Sequence, residues 1–133
     1  MRTSIVQALA LSALVIAAST PLLAQPQLTA EQQAVMVINA GRKAFNEKQY
    51  NVAVDRFREY LGKFNGQKDT PSAHYGLGTA LLEMSPTDYK AAADALRHAA
   101  GANFPERPFA MYYLGVAQRG LGHASTALAK AKP

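Results

Sequence analysis

Three glycines stand at equal intervals in this chain of 133 residues: Gly41, Gly78 and Gly115, 37 apart both times. They lie in matching segments, Ala40-Gly41-x-x-Ala44, Leu77-Gly78-x-x-Leu81 and Leu114-Gly115-x-x-Gln118. Each segment carries apolar residues at helical spacing, where a glycine costs about 1 kcal/mol against alanine. A cost repeated at a fixed interval points to a packing need, a place where a second helix comes too close for a Cβ. A small residue follows each glycine in the next segment: Ala53, Ala92 and Ala127. These alanines are the expected counterparts of the glycines where the helices of a pair cross. Tyr50 and Tyr89 stand three residues before the first two alanines, and Phe57 and Leu96 four after. In the third unit those positions hold only Ala124 and Ala131.

The rest of the pattern is helical throughout. Thr29 with Gln32 three residues on reads as a capping box. Val35, Val37, Ile38, Gly41, Ala44 and Phe45 then form a stripe on one helix face, broken by Asn46 to Gln49. A second helix fits Tyr50 to Phe64, with Val54, Phe57, Tyr60 and Leu61 inward, before a loop from Asn65 to Thr70. Pro71 suits the first turn of a third helix ending at Glu83. The turn Ser85-Pro86-Thr87-Asp88 leads to a fourth, Tyr89 to Ala100, stopped by Gly101. Pro108 opens a fifth to Leu121, Gly122-His123 is expected to turn the chain, and Ala124 to Lys132 begins a sixth. No strand-like alternation occurs. The expected fold class is all-α, built from antiparallel helix hairpins.

The glycine segments and the phrase Tyr50-x-x-Ala53-x-x-x-Phe57 resemble the tetratricopeptide repeat family. The resemblance covers residues 34–133 and implies a short α-solenoid of about three repeats, the last incomplete. The chain departs from the family in holding Val37, His74 and Met111 at the tryptophan position, and in a longer turn around Pro86. The 37-residue spacing and the longer phrase Tyr50-x-x-Ala53-x-x-x-Phe57-x-x-Tyr60-Leu61 resemble periplasmic repeat proteins, to a lesser degree those of the Tol–Pal coordinator type. In such arrays the first helix of each pair lines a concave face. By that register the partner-binding positions are Ile38, Arg42 and Phe45, then Tyr75, Thr79 and Leu82, then Phe109, Tyr112, Val116 and Arg119. The carboxylate clamp of the chaperone-binding members is not reproduced: its positions read Ile38, Arg42, Gly76, Phe109 and Tyr113, of which only Arg42 suits a carboxylate.

Residues 1–24 have a different character. Arg2 gives a positive start, Ser4 to Ala18 is almost wholly apolar, and Ser19-Thr20-Pro21 precedes a small Ala24. This is the layout of a secretory signal peptide, with an uncleaved anchor from Ile5 to Ala24 as the alternative. Residues 25–33 then form a lead-in and 34–133 the repeat domain. The expected location is periplasmic or secreted, and contact with a membrane arises only if the signal stays attached.

Catalytic chemistry finds no foothold. The absence of cysteine removes disulfides, thiol chemistry, zinc–thiolate sites and a lipidated cysteine. His74, His98 and His123 lie far apart without helical ligand spacing, so no metal is expected. Gly76-Leu77-Gly78 follows no strand and lacks the later glycine of a nucleotide loop. Glu47, Asp55, Glu59 and Asp94 sit among Lys and Arg on polar helix faces, as solvated charge does. The net charge of +5 is mild and unclustered, giving no basic track for nucleic acid.

The expectation is therefore a non-enzymatic binding or scaffold module of the cell envelope. It needs no cofactor and takes a peptide or protein segment in a concave groove. The alternative is a structural subunit, or the N-terminal part of a longer repeat protein, that self-associates through an uncapped last repeat.

Overall fold

The computed structural model describes residues 26–131, so the expected signal segment lies outside the described residues. Among the described residues five helices follow one another with no strand between them. The first, α1 (Ala30–Asn46), starts inside the expected lead-in, where Thr29 builds a capping box. The Thr29 hydroxyl accepts from the Gln32 amide at 3.2 Å, and the Gln32 side chain accepts from the Thr29 amide at 2.9 Å. Ala34, Ile38, Gly41 and Ala44 form its buried face. Lys48, in the left-handed region at φ 60°, reverses the chain into α2 (Tyr50–Lys63). Ala53, Val54, Phe57 and Tyr60 turn inward there. Pro71 stands in the first turn of α3 (Thr70–Glu83). The Asp88 carboxylate accepts from the Ala91 amide at 3.0 Å and starts α4 (Tyr89–Ala100). Arg107 opens α5 (Arg107–Ala131) and donates through Nε to the free carbonyl of Ala100 at 3.0 Å, tying the end of α4 to the start of α5.

Each helix packs on the next. Beyond that succession α1 also approaches α3, and α3 approaches α5. Among the described residues α2 does not reach α4, nor α1 reach α5. α3 is thus the central element, and its buried residues Ala73, Leu77, Gly78, Thr79, Ala80 and Leu81 cover more than one face. Much of the core is alanine, with Tyr60, Phe57, Ile38 and Leu96 its largest fully buried side chains.

Two sequence expectations need correction. The Gly122-His123 turn does not form, and α5 runs through it unbroken. A glycine inside a helix costs only about 1 kcal/mol. Ser125 and Thr126 donate their hydroxyls to the Gly122 carbonyl at 2.9 Å each, a pattern that belongs to continuing helix. There is accordingly no third hairpin among the described residues.

The glycines, in turn, accommodate side chains of the partner helix. A Cβ on Gly41 would come within 2.9 Å of the Phe57 ring, and one on Gly78 would collide with Leu96. Phe57 and Leu96 stand four residues after Ala53 and Ala92, which are themselves fully buried. Gly115 faces open space and Ala127 is exposed, because no sixth helix folds back on α5.

Candidate functional site: a cleft across three helices

The approach of α1, α3 and α5 on one side of the molecule leaves a cleft of about 360 Å³. α1 contributes Arg42, Phe45 and Asn46. α3 contributes Ser72, Tyr75, Gly76, Thr79 and Glu83, and the far side is formed by Glu106 and Tyr113. Phe57 reaches the cleft from α2 because Gly41 and Gly76 both leave room for its ring; a Cβ on either would press on it.

The cleft wall is aromatic on the α5 side. The Tyr75 ring lies 6.2 Å from Tyr113 and 6.3 Å from Phe104, both tilted. Burial, then Tyr113 and the charge of Glu106, hold the Tyr75 phenol above its ordinary pKa, so it stays protonated. Phe45 meets Tyr50 edge-on at 5.4 Å on the α1 side. Thr79 is turned inward in its polar chemistry: its hydroxyl sits 3.0 Å from the Tyr75 carbonyl and 3.1 Å from that of Gly76. Arg42 donates to the Asn39 side chain at 3.2 Å and stands 3.9 Å from Asp69.

Of the positions named by the repeat register, Arg42, Phe45, Tyr75 and Thr79 come together in this cleft. Ile38 does not: its exposure is 0%, and it fills the core between helices. Leu82 is half-buried against the core and Val116 is half-buried on α5. Phe109 and Tyr112 are open to solvent at 59% and 66%, outside the cleft lining. Arg119 lies further along α5, in a shallow region with His123 and Lys130.

Sequence reasoning missed Asn46, Ser72, Glu83 and Glu106 as lining residues. Ser72 and Glu83 were within reach, since Ser72, Tyr75, Gly76, Thr79 and Glu83 follow helical spacing along one face. Tyr113 rather than its neighbour Tyr112 faces the cleft. Glu106 precedes α5 in an irregular loop, where no periodicity announces a direction.

A second cluster lies across α3 and α4. His74 and His98, distant in sequence, stack with ring centres 4.7 Å apart and planes at 19°. The His74 Nδ1 is buried without a hydrogen-bond partner. Burial first, and then His98, hold the His74 pKa below its ordinary value. Elsewhere carboxylates pair with bases on their own helix: Glu59 with Arg56 at 2.7 Å and Lys63 at 2.9 Å, Asp94 with Arg97 at 2.9 Å and Lys90 at 3.5 Å. Among the described residues no three His, Asp or Glu side chains gather as metal ligands do. Nor is any described helix long and apolar enough to cross a membrane. Comparison with family models, with curated proteins and with solved structures finds no match for this chain.

Proposed function

We propose that the protein is a non-enzymatic binding module that takes a peptide or protein segment in the cleft formed by α1, α3 and α5. In this reading the helices are a short array of the tetratricopeptide type, exported to the cell envelope. The observation that carries it is the cleft itself, to which three successive odd-numbered helices bring aromatic, amide, hydroxyl and charged groups. The solenoid reading is supported by the approach of α1 to α3 and α3 to α5 while α2 and α4 stay apart, as in an array that curves around its first helices. The occupied glycine sites at Gly41 and Gly78 support it too. Export rests on the character of residues 1–24.

The test is affinity capture from envelope extract by the full chain, tagged at its C-terminus, with mass spectrometry of the bound proteins. A partner retained by the wild type is expected to be lost from an Arg42→Ala/Tyr75→Ala variant. Equal retention by both would remove the cleft from the reading. N-terminal sequencing of the exported product is expected to begin at Gln25.

A second reading is favoured by α5. Met111 and Tyr112 are exposed on this helix on the side of Gly115, which has nothing opposite it. Such a face suits a second copy of the chain. Light scattering then gives a dimer that Met111→Glu/Tyr112→Glu returns to monomer; a wild-type monomer at high concentration rules this reading out.

A further inference from the structure

The cleft is charged against the sign of the molecule. The chain carries a net +5, yet Arg42 is the one base on the cleft lining, against Glu83 and Glu106. Arg42 is partly satisfied by Asn39 and Asp69. The two glutamates have no such relief: among the described residues neither has a Lys or Arg within ion-pair distance, a state they share with Glu31, Asp55 and Asp88 but not with Glu47, Glu59, Asp69 and Asp94. The nearest base in sequence, Arg107, is directed at the Ala100 carbonyl. Glu106 stands by Tyr75, whose ring and that of Tyr113 form a wall beside it. A carboxylate next to half-buried tyrosine rings suits a guanidinium or ammonium, which gains a charge-assisted hydrogen bond and a ring contact at once.

Distance along α3 sets a spacing. Glu83 is two helical turns beyond Tyr75, roughly 12 Å at the rise of an α-helix. An extended chain covers about 3.3 Å per residue, so that gap corresponds to three or four residues. The same lining carries Phe45 and Phe57, while the Asn46 and Ser72 side chains make no hydrogen bond among the described residues. A free amide and a free hydroxyl are the groups that pair with a peptide backbone.

We infer that the occupant of the cleft is an extended polypeptide segment with two Arg or Lys residues three or four apart, one held by Glu106 with Tyr75 and Tyr113, the other by Glu83. This rests on the groove reading above and gives it a ligand chemistry. Panning a random dodecapeptide phage library on the immobilised full chain supplies probes without prior choice. Labelled copies of the enriched peptides are then titrated by fluorescence anisotropy. The expected peptides carry the spaced basic pair. Their affinity is expected to drop about tenfold or more in Glu83→Gln/Glu106→Gln, the scale of removing two weak ion pairs together. Binding is also expected to weaken with added salt and in Tyr75→Ala. Circular dichroism of the isosteric double variant is expected to match wild type, so that loss of binding is not loss of fold. Enriched peptides that lack basic residues but still need Tyr75 would overturn this inference and leave the groove reading standing. Basic peptides that bind the double variant as tightly as wild type overturn it as well. Failure to enrich any peptide removes both.

Discussion

A methyl group has no room at Gly78, where it would strike Leu96, a side chain with no freedom to withdraw because it is wholly buried. At Gly115, in the same sequence context, the methyl group meets nothing. The same substitution therefore has opposite signs at the two sites. Gly78→Ala is expected to destabilise by about 1–3 kcal/mol, as over-packing does. Gly115→Ala is expected to stabilise by about 0.5–1 kcal/mol through helix propensity alone. Urea unfolding of the two variants beside wild type checks both; equal shifts would mean that neighbours do not decide the cost. That Gly41 and Gly78 mark helix contacts was legible in their spacing, which gave no sign that Gly115 does not. What fills the space was not, because a repeat in sequence does not say whether a partner helix is present. His74 makes a second residue-scale prediction. Its folded pKa is depressed, so below about 6.5 the unfolded chain binds protons that the folded one resists. Stability is expected to fall as pH drops through that value and to level off once the folded pKa is passed. The His98 ring stacked on it is the second cause of the depression, after burial. Glu59 and Asp94, depressed by their Arg and Lys partners, lose stabilisation only in more acidic solution, a separate window. Urea midpoints between about pH 7.5 and 5.5 measure the slope, which His74→Phe is expected to flatten.

At the scale of the element, the first four helices followed from caps, periodicity and turn residues, with bounds displaced by a residue or so. Thr29 with Gln32 and Pro71 acted as their chemistry requires. The fifth helix followed only from Pro108 to Leu121; its continuation did not, because Gly122 and His123 read as a turn by composition. The deciding interactions, the hydroxyls of Ser125 and Thr126 on the Gly122 carbonyl, arise only once the helix exists. α5 is also divided along its length. Ala110 and Ala117 are buried against the rest of the molecule, whereas Leu121 to Ala127 are exposed. A stretch of helix without tertiary support is marginal in water. Amides from Gly122 to Thr126 are expected to exchange with deuterium far faster than those from Ala110 to Ala117. Equal protection along α5 in solution would point to a covering partner, such as the second copy proposed above.

For the molecule as a whole, a few side chains act as joints. Phe57 belongs to α2 but occupies space left by Gly41 of α1 and Gly76 of α3, so one ring holds three helices and also lines the cleft. Tyr89 of α4 bears in the same way on Gly120 of α5. Phe57→Ala is expected to cost about 3–5 kcal/mol, at the upper end for core truncations. It is also expected to weaken any cleft ligand beyond what lost stability explains, readable by calorimetric melting alongside peptide titration. The all-helical architecture was open to sequence reasoning because periodicity is local. The cleft was legible only in part. Arg42, Phe45, Tyr75 and Thr79 came from the repeat register, while Ile38 turned out to be core and the two glutamates that set the charge went unnoticed. A register gives a direction on one helix; the electrostatic character of a cleft depends on which helices converge and on what an irregular loop supplies.

Among the described residues α1 and α5 make no approach to one another, so no helix contact closes the two ends of the row. A tether pulling on those ends would load the interfaces one after another instead of shearing them together. Stepwise release, α5 or α1 first and the α3 centre last, is the outcome expected from force spectroscopy on the full chain.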